Sequence, residues 1–141
     1  MNVSEVMTPQ VVTAKPSSSI TEVAQTMARI ESGALPVVDD DKLVGLITDR
    51  DIVIRVIAEG LGLDTKVADV MTEGVETCRE DDNVADAAAK MGSHQIRRLV
   101  VLNDQGKLAG MLSLGDIAQD YGAKAVGRTL EEISESTPAA H

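Results

Sequence analysis

Two short stretches of this chain carry residue types at a spacing from which chemistry could be built. Gly45-Leu46-Ile47-Thr48-Asp49-Arg50-Asp51 places a hydroxyl three residues ahead of a carboxylate, where an apolar strand end gives way to the run Ile52 to Ile57. Gly110-Met111-Leu112-Ser113-Leu114-Gly115-Asp116, followed by Ile117, repeats that frame. As structure, Thr/Ser-x-x-Asp at such a junction is a capping box: the hydroxyl accepts from an orphan helix N–H and the carboxylate sits near the positive helix end. As chemistry, an aspartate there presents two acceptor oxygens suited to the paired 2′ and 3′ hydroxyls of a ribose, while the hydroxyl and free N–H groups suit a phosphate. The two readings are compatible.

With a net charge of −10, an anionic ligand needs a local group of cations. Arg50 lies inside the first stretch, Arg97 and Arg98 stand just ahead of an apolar run in the second half, and Arg55, one turn beyond Asp51, is a weaker candidate. Other chemistries find no footing. The lone Cys78 excludes an intrachain disulfide framework and a Cys-rich metal site, and reads as a small half-buried hydrophobe. No His/Cys/Asp/Glu cluster has metal-ligand spacing, there is no P-loop, and the two histidines form no nucleophilic arrangement. His94 reads as a half-buried residue at a helix C-terminus, His141 as a bystander. We therefore expect no catalytic residues, no metal, no required cofactor and no enzymatic activity.

The charge, with 1% aromatic residues, also argues against a nucleic-acid surface. At 43% apolar content a core is available, and without Phe or Trp it must be aliphatic. No apolar run approaches the roughly 20 residues that cross a bilayer, and the N-terminus does not read as a signal peptide, so a cytoplasmic location away from membranes is expected.

The chain repeats itself. Val3-Ser4-Glu5-Val6-Met7-Thr8 returns as Val67-Ala68-Asp69-Val70-Met71-Thr72, a shift of 64 residues that also matches Thr13 with Thr77, Met27 with Met91 and Leu35 with Leu99; one insertion near Gly106 makes it 65 thereafter. Each half predicts an extended piece, a helix, a hairpin and a second helix. In the first, Val11 to Thr13 is extended, Ser19 with Glu22 caps a helix to about Ile30 that Gly33 closes, and Ala34–Val38 and Leu43–Ile47 flank the turn Asp39-Asp40-Asp41. In the second, Asn83 and Asp86 cap Val84 to about His94, and Arg98–Leu102 pairs with Lys107–Leu112. Helices are expected over about Asp51–Glu59, Asp116–Tyr121 and Arg128–Ile133, with a disordered tail from Ser134 to His141. The divisions expected are 1–62, 63–122 and a terminal helix and tail over 123–141. Halves of this size are marginal alone, which favours two packed together about a pseudo-two-fold axis with a cleft lined mainly by each copy.

The repeated Val-x-x-Val-Met-Thr, the Ala-Leu-Pro-Val-Val-Asp strand at Ala34 to Asp39, and the closing Gly-h-h-Thr/Ser-x-x-Asp-Ile resemble a tandem pair of CBS domains, the Bateman module, over nearly all of Val3 to Gly122. The resemblance implies an α/β (α+β) fold of two βαββα repeats. It further implies a module that binds adenosyl ligands such as AMP, ADP, ATP, NAD or S-adenosylmethionine, often homodimerises and regulates another protein, here as a free-standing member. On that basis the adenine sits between aliphatic walls and is read by backbone groups. The first site then comprises Thr13, Ala14, Pro16, Ala34, Leu35, Pro36, Ile47, Thr48, Arg50 and Asp51, and the second Thr77, Cys78, Arg97, Arg98, Leu99, Val100, Leu112, Ser113 and Asp116. The second departs from the fuller pattern: Val100 replaces Pro36, and Leu114-Gly115 replace Asp49-Arg50. The rival expectation is a structural or dimerisation adaptor in which both aspartates only cap helices.

Overall fold

The computed structural model of the protein describes residues 1–120 and 130–134; Tyr121, Gly122, Arg128 and the tail from 135 onward lie outside the described residues. In chain order the elements are α1 (Val3–Val6), β1 (Thr8–Pro9), α2 (Ile20–Ile30), β2 (Ala34–Asp39), β3 (Lys42–Thr48), α3 (Asp49–Asp51), which continues into a π-helix (Ile52–Ile57), α4 (Val67–Val70), β4 (Thr77–Arg79), α5 (Val84–His94), β5 (Arg98–Leu102), β6 (Leu108–Ser113) and α6 (Leu114–Asp120). Residues 130–134 are helical.

Two compact units result, Val11–Val75, and Met1–Gln10 together with the described residues from Glu76 onward. These units are out of step with the sequence repeats. The opening Val-x-x-Val-Met-Thr of the first repeat folds into the second unit: Val3 and Val6 of α1 join the core of Met91, Leu99 and Leu112, and β1 pairs with β6 through Thr8 and Met111. Its copy folds into the first unit, where Val67 and Val70 of α4 join Ile20, Leu35 and Ile47, and Thr72 bridges to Leu46 on β3.

Local chemistry explains most elements. Ser19 accepts the Glu22 N–H at 3.1 Å and opens α2, whose Ile20, Val23 and Met27 turn inward. The Asn83 side chain opens α5 by accepting the Ala85 N–H at 2.8 Å; no capping bond involves Asp86. Helix α2 is ended by Glu31 in the left-handed region at φ 55°, and α5 by its repeat partner Gln95 at φ 57°. Gly33, expected as that stop, serves a different need: a Cβ there would lie 2.7 Å from an Asp49 carboxylate oxygen. Asp40 and Asp41, both at positive φ, turn the hairpin of β2 and β3.

The second unit shows the full βαββα order, with β4 parallel to β5 and the sheet running β1, β6, β5, β4. The first unit follows the same path, but its opening strand shrinks to a single bridge from Ala14 to Val37. Two prolines account for it: Val100 donates its N–H to the Glu76 carbonyl at 3.3 Å and Glu80 donates to the Leu102 carbonyl at 3.0 Å, and their repeat partners Pro36 and Pro16 have no N–H to donate. The helix expected over Asp51–Glu59 is also different, since most of it is π-helix.

Gly45 and Gly110 admit the transferred segments. A Cβ at Gly45 would stand 2.9 Å from the Thr72 carbonyl oxygen, and one at Gly110 would press still closer on that of Thr8. Gly110→Ala is therefore expected to push β1 off β6, costing about 1–3 kcal/mol. Faster amide exchange at Met111 and across residues 2–9, with residues 20–30 unaffected, is the checking measurement.

Candidate functional site

The antiparallel register of β2 and β3 sets Ala34 opposite Thr48 and Pro36 opposite Leu46, so these four share one sheet face. Leu35 and Ile47 point the other way and are wholly core, at 1% and 0% exposure. Of the first-site residues, Ala34, Pro36 and Thr48 thus lie together, with Asp51 one helical turn beyond. Ala14 spends both backbone groups on β2, donating to the Pro36 carbonyl and accepting from the Val38 N–H, each at 2.9 Å. Its neighbour Thr13 therefore directs its N–H and C=O outward, where they have no partner among the described residues. Pro16 is not brought to this end. It stands beside the Asp39 end of β2, roughly 17 Å of strand away from Thr48, lining a separate cavity of about 380 Å³ with Lys15 and Asp40.

The Thr48-x-x-Asp51 box forms in full. Thr48 Oγ1 accepts the Asp51 N–H at 3.1 Å, and Asp51 Oδ2 accepts the Thr48 N–H at 3.0 Å. Asp51 is 7% exposed and holds two further partners. The Thr72 hydroxyl lies 3.3 and 3.4 Å from its two oxygens, and Arg55 Nε is 3.7 Å from Oδ1. Arg55 also donates to the Val70 and Met71 carbonyls, at 3.3 and 3.2 Å, which makes it a clamp on the transferred segment rather than a free cation. Arg50 is exposed, and its guanidinium has no partner among the described residues.

In the second unit Arg98 and Ser113 are opposite one another, as are Val100 and Met111, while Leu99, Leu112 and Cys78 face the core. Ser113 and Asp116 make the same reciprocal box, at 3.1 and 3.0 Å. No third partner holds Asp116 among the described residues, and it is half-buried. Arg97 and Arg98 are exposed with unpartnered guanidinium groups. At Thr77 the second copy diverges from the first: Lys90 Nζ donates to the Thr77 carbonyl. Its ammonium also lies 3.7 Å from Glu76, whose other oxygen is 3.6 Å from His94 Nε2.

Thr72, Lys90 and Glu76 were not among the residues expected from sequence. Thr72 carried a signal, as the last residue of the repeated Val-Met-Thr, but its partner Asp51 is 21 residues away and belongs to the other sequence repeat. Among the described residues no three His, Cys, Asp or Glu side chains gather as a metal site.

Cys78 is buried, and that burial, with the Asp82 carboxylate nearby, pushes its thiol up to about 11, against a smaller lowering by Lys90. A thiol held protonated in the fold stabilises it below its ordinary value of 9.0, and that contribution is lost as pH rises toward about 11. At pH 8 the native chain is expected to resist thiol reagents and to react fully once denatured. For the boxes, Asp51→Ala is expected to cost about 1–3 kcal/mol, since it strips a cap, leaves the part-buried Thr72 hydroxyl without its acceptor and removes the Arg55 ion pair. Asp116→Ala, which loses the cap alone, is expected to cost about 1 kcal/mol. Urea denaturation of the two variants gives the comparison.

The CBS domain family model matches residues 3–58 and again 67–121. The chain is 38% identical over 134 residues to the CBS domain-containing protein YhcV of Bacillus subtilis, covering 94% of this chain and 95% of that protein. Among solved structures, the CBS domain protein PAE2072 from Pyrobaculum aerophilum, complexed with AMP, is similar with a TM-score of 0.77 at 28% identity, covering 92% of this chain and 98% of that one. The CBS domain pair of MJ0100, in complex with 5′-methylthioadenosine and S-adenosyl-L-methionine, reaches 0.78 at 30% identity, covering 88% and 98%. Two matches of one family model, together spanning the sequence on which both units are built, make this chain a member of the CBS domain family carrying a tandem pair.

Proposed function

We propose that the protein is a regulatory module, without enzymatic activity, that binds an adenosyl ligand and signals its occupancy to a partner protein. The observation that carries this is the set of groups at the Ala34 end of the first unit. Thr13, with its backbone N–H and C=O unspent, and Thr48, with Asp51 beyond it, lie on opposite sides of β2, about 10 Å or two strand spacings apart. That is the length scale of a nucleoside: an adenine edge read by Thr13, ribose hydroxyls at Asp51, and phosphate at Thr48 and the free Arg50. Relatives in complex with AMP and with S-adenosyl-L-methionine support the ligand class. AMP, ADP or ATP is the expected ligand, with NAD or S-adenosylmethionine as the other members of the class. Signalling would follow from differential affinity: the ligand favours whichever arrangement of the chain it binds better.

The rival reading, an adaptor that binds nothing, is favoured by one fact: both Asp51 oxygens already have partners. A ribose hydroxyl would have to replace the Thr72 hydroxyl at its long 3.3 and 3.4 Å contacts, an exchange of like for like. The proposal also includes a homodimer and a cytoplasmic setting. Of the four residues Ile52, Val53, Val56 and Ile57 that the helix after the first hairpin offers as an apolar stripe, Val56 is buried and Ile52 packs against the core, while Val53 and Ile57, with the neighbouring Ile54, stand 52%, 61% and 47% exposed. That exposed remainder is the surface we assign to a second copy. Sedimentation at micromolar concentration is expected to give a dimer, and Ile57→Glu a monomer.

Thermal-shift measurement with AMP, ADP, ATP, NAD and S-adenosylmethionine tests the ligand. At a hundredfold excess over Kd a native-state ligand contributes about 2.7 kcal/mol, a rise of roughly 5–10 °C. Asp51→Ala is expected to abolish the rise, whereas the adaptor reading expects no rise with any of them at millimolar concentration.

A further inference from the structure

The two copies of the site differ at one backbone carbonyl, and the difference is made by side chains in which the repeats have diverged. In the first unit the Thr13 carbonyl is open. In the second unit the equivalent Thr77 carbonyl is held by the Lys90 ammonium. Lys90 corresponds to Thr26, whose hydroxyl is turned back on its own helix to the Glu22 carbonyl at 3.0 Å. Glu76 and His94, which correspond to Val12 and Ile30, complete the arrangement. The Glu76 carboxylate lies 3.7 Å from the Lys90 ammonium and 3.6 Å from His94 Nε2, and His94 Nδ1 is 3.0 Å from the Lys90 carbonyl. Glu76, itself beside His94, thus faces the Lys90 ammonium that sits on the carbonyl, where the first unit offers two apolar residues and a threonine that reaches elsewhere.

We propose that the second site is occupied by the protein itself, with Lys90 as the occupant and Glu76 as its counter-ion, so that each chain takes up one adenosyl ligand, in the first unit. This rests on the reading that such a ligand is bound with its base edge at Thr13 or Thr77. An adenine amino group needs an acceptor, and at Thr77 it meets an ammonium, which has three donors and no acceptor. A tethered side chain also competes without the translational and rotational loss that a free ligand suffers. Asp116 is half-buried, and Arg97 and Arg98 are exposed without partners among the described residues, so the block we propose is local to the base edge.

Calorimetric titration with AMP, and separately with S-adenosylmethionine, up to millimolar concentration tests this, with circular dichroism confirming the fold of each variant. The wild-type chain is expected to bind one molecule, and Lys90→Thr, which restores the residue of the first copy, two. Lys90→Met, which keeps the stem and removes the charge, is expected to do the same. Asp51→Ala in the Lys90→Thr background should leave one, now in the second unit. Two molecules bound by wild type would overturn the proposal while leaving the functional reading intact, as would one bound by both Lys90 variants. No binding by wild type or either variant would overturn both.

Discussion

Leu46 and Thr72 exchange both backbone hydrogen bonds at 2.9 Å, and they can do so because Gly45 beside them has no side chain. Much of the first unit follows from that contact. It anchors the segment that brings Val67 and Val70 into an aliphatic core with no aromatic ring to fill it. It places the Thr72 hydroxyl on Asp51, and it presents the Val70 and Met71 carbonyls to Arg55. The cap, the core and the candidate ribose acceptor are therefore one connected arrangement. The same contact recurs in the second unit between β1 and β6 at Gly110, where the approach of the Thr8 carbonyl is closer still.

Capping and recognition draw on the same atoms. A helix start must satisfy its orphan N–H groups, and a buried carboxylate must be hydrogen-bonded. Asp51 meets both demands within the chain. Asp116 meets them with fewer partners and greater exposure. The copy with the freer carboxylate is also the copy in which Lys90 covers the Thr77 carbonyl, so the duplicated frame has not stayed duplicate in chemistry. Exposed cations remain at both, Arg50 in one and Arg97 with Arg98 in the other, in a chain whose overall charge is −10.

Periodicity and caps made the regular elements readable. α5 spans Val84–His94 and β5 spans Arg98–Leu102 in both sequence and structure, because a polar cap and an apolar stripe are local signals. The site was readable in part for the same reason, since Thr48 and Asp51 satisfy one another across three residues. Leu35 and Ile47 were ambiguous because an apolar residue in a strand faces core or ligand according to register, and register is fixed by pairing. Pro16 was expected in the first site, yet the extended segment that bridges Ala14 to Val37 in parallel runs on toward the Asp39 end of β2, away from Thr48.

What the sequence by itself determined was the duplicated frame, the family, the elements and the reciprocal capping boxes, all of them matters of spacing along the chain. Tertiary structure alone decided that each Val-x-x-Val-Met-Thr segment leaves its own repeat to complete the other sheet. A repeat boundary records where a copy begins, and says nothing of which sheet edge its first strand will find. It also decided that Arg55 and Thr72 converge on Asp51 while Lys90 closes on Thr77, for these contacts join residues that only folding brings within hydrogen-bond reach.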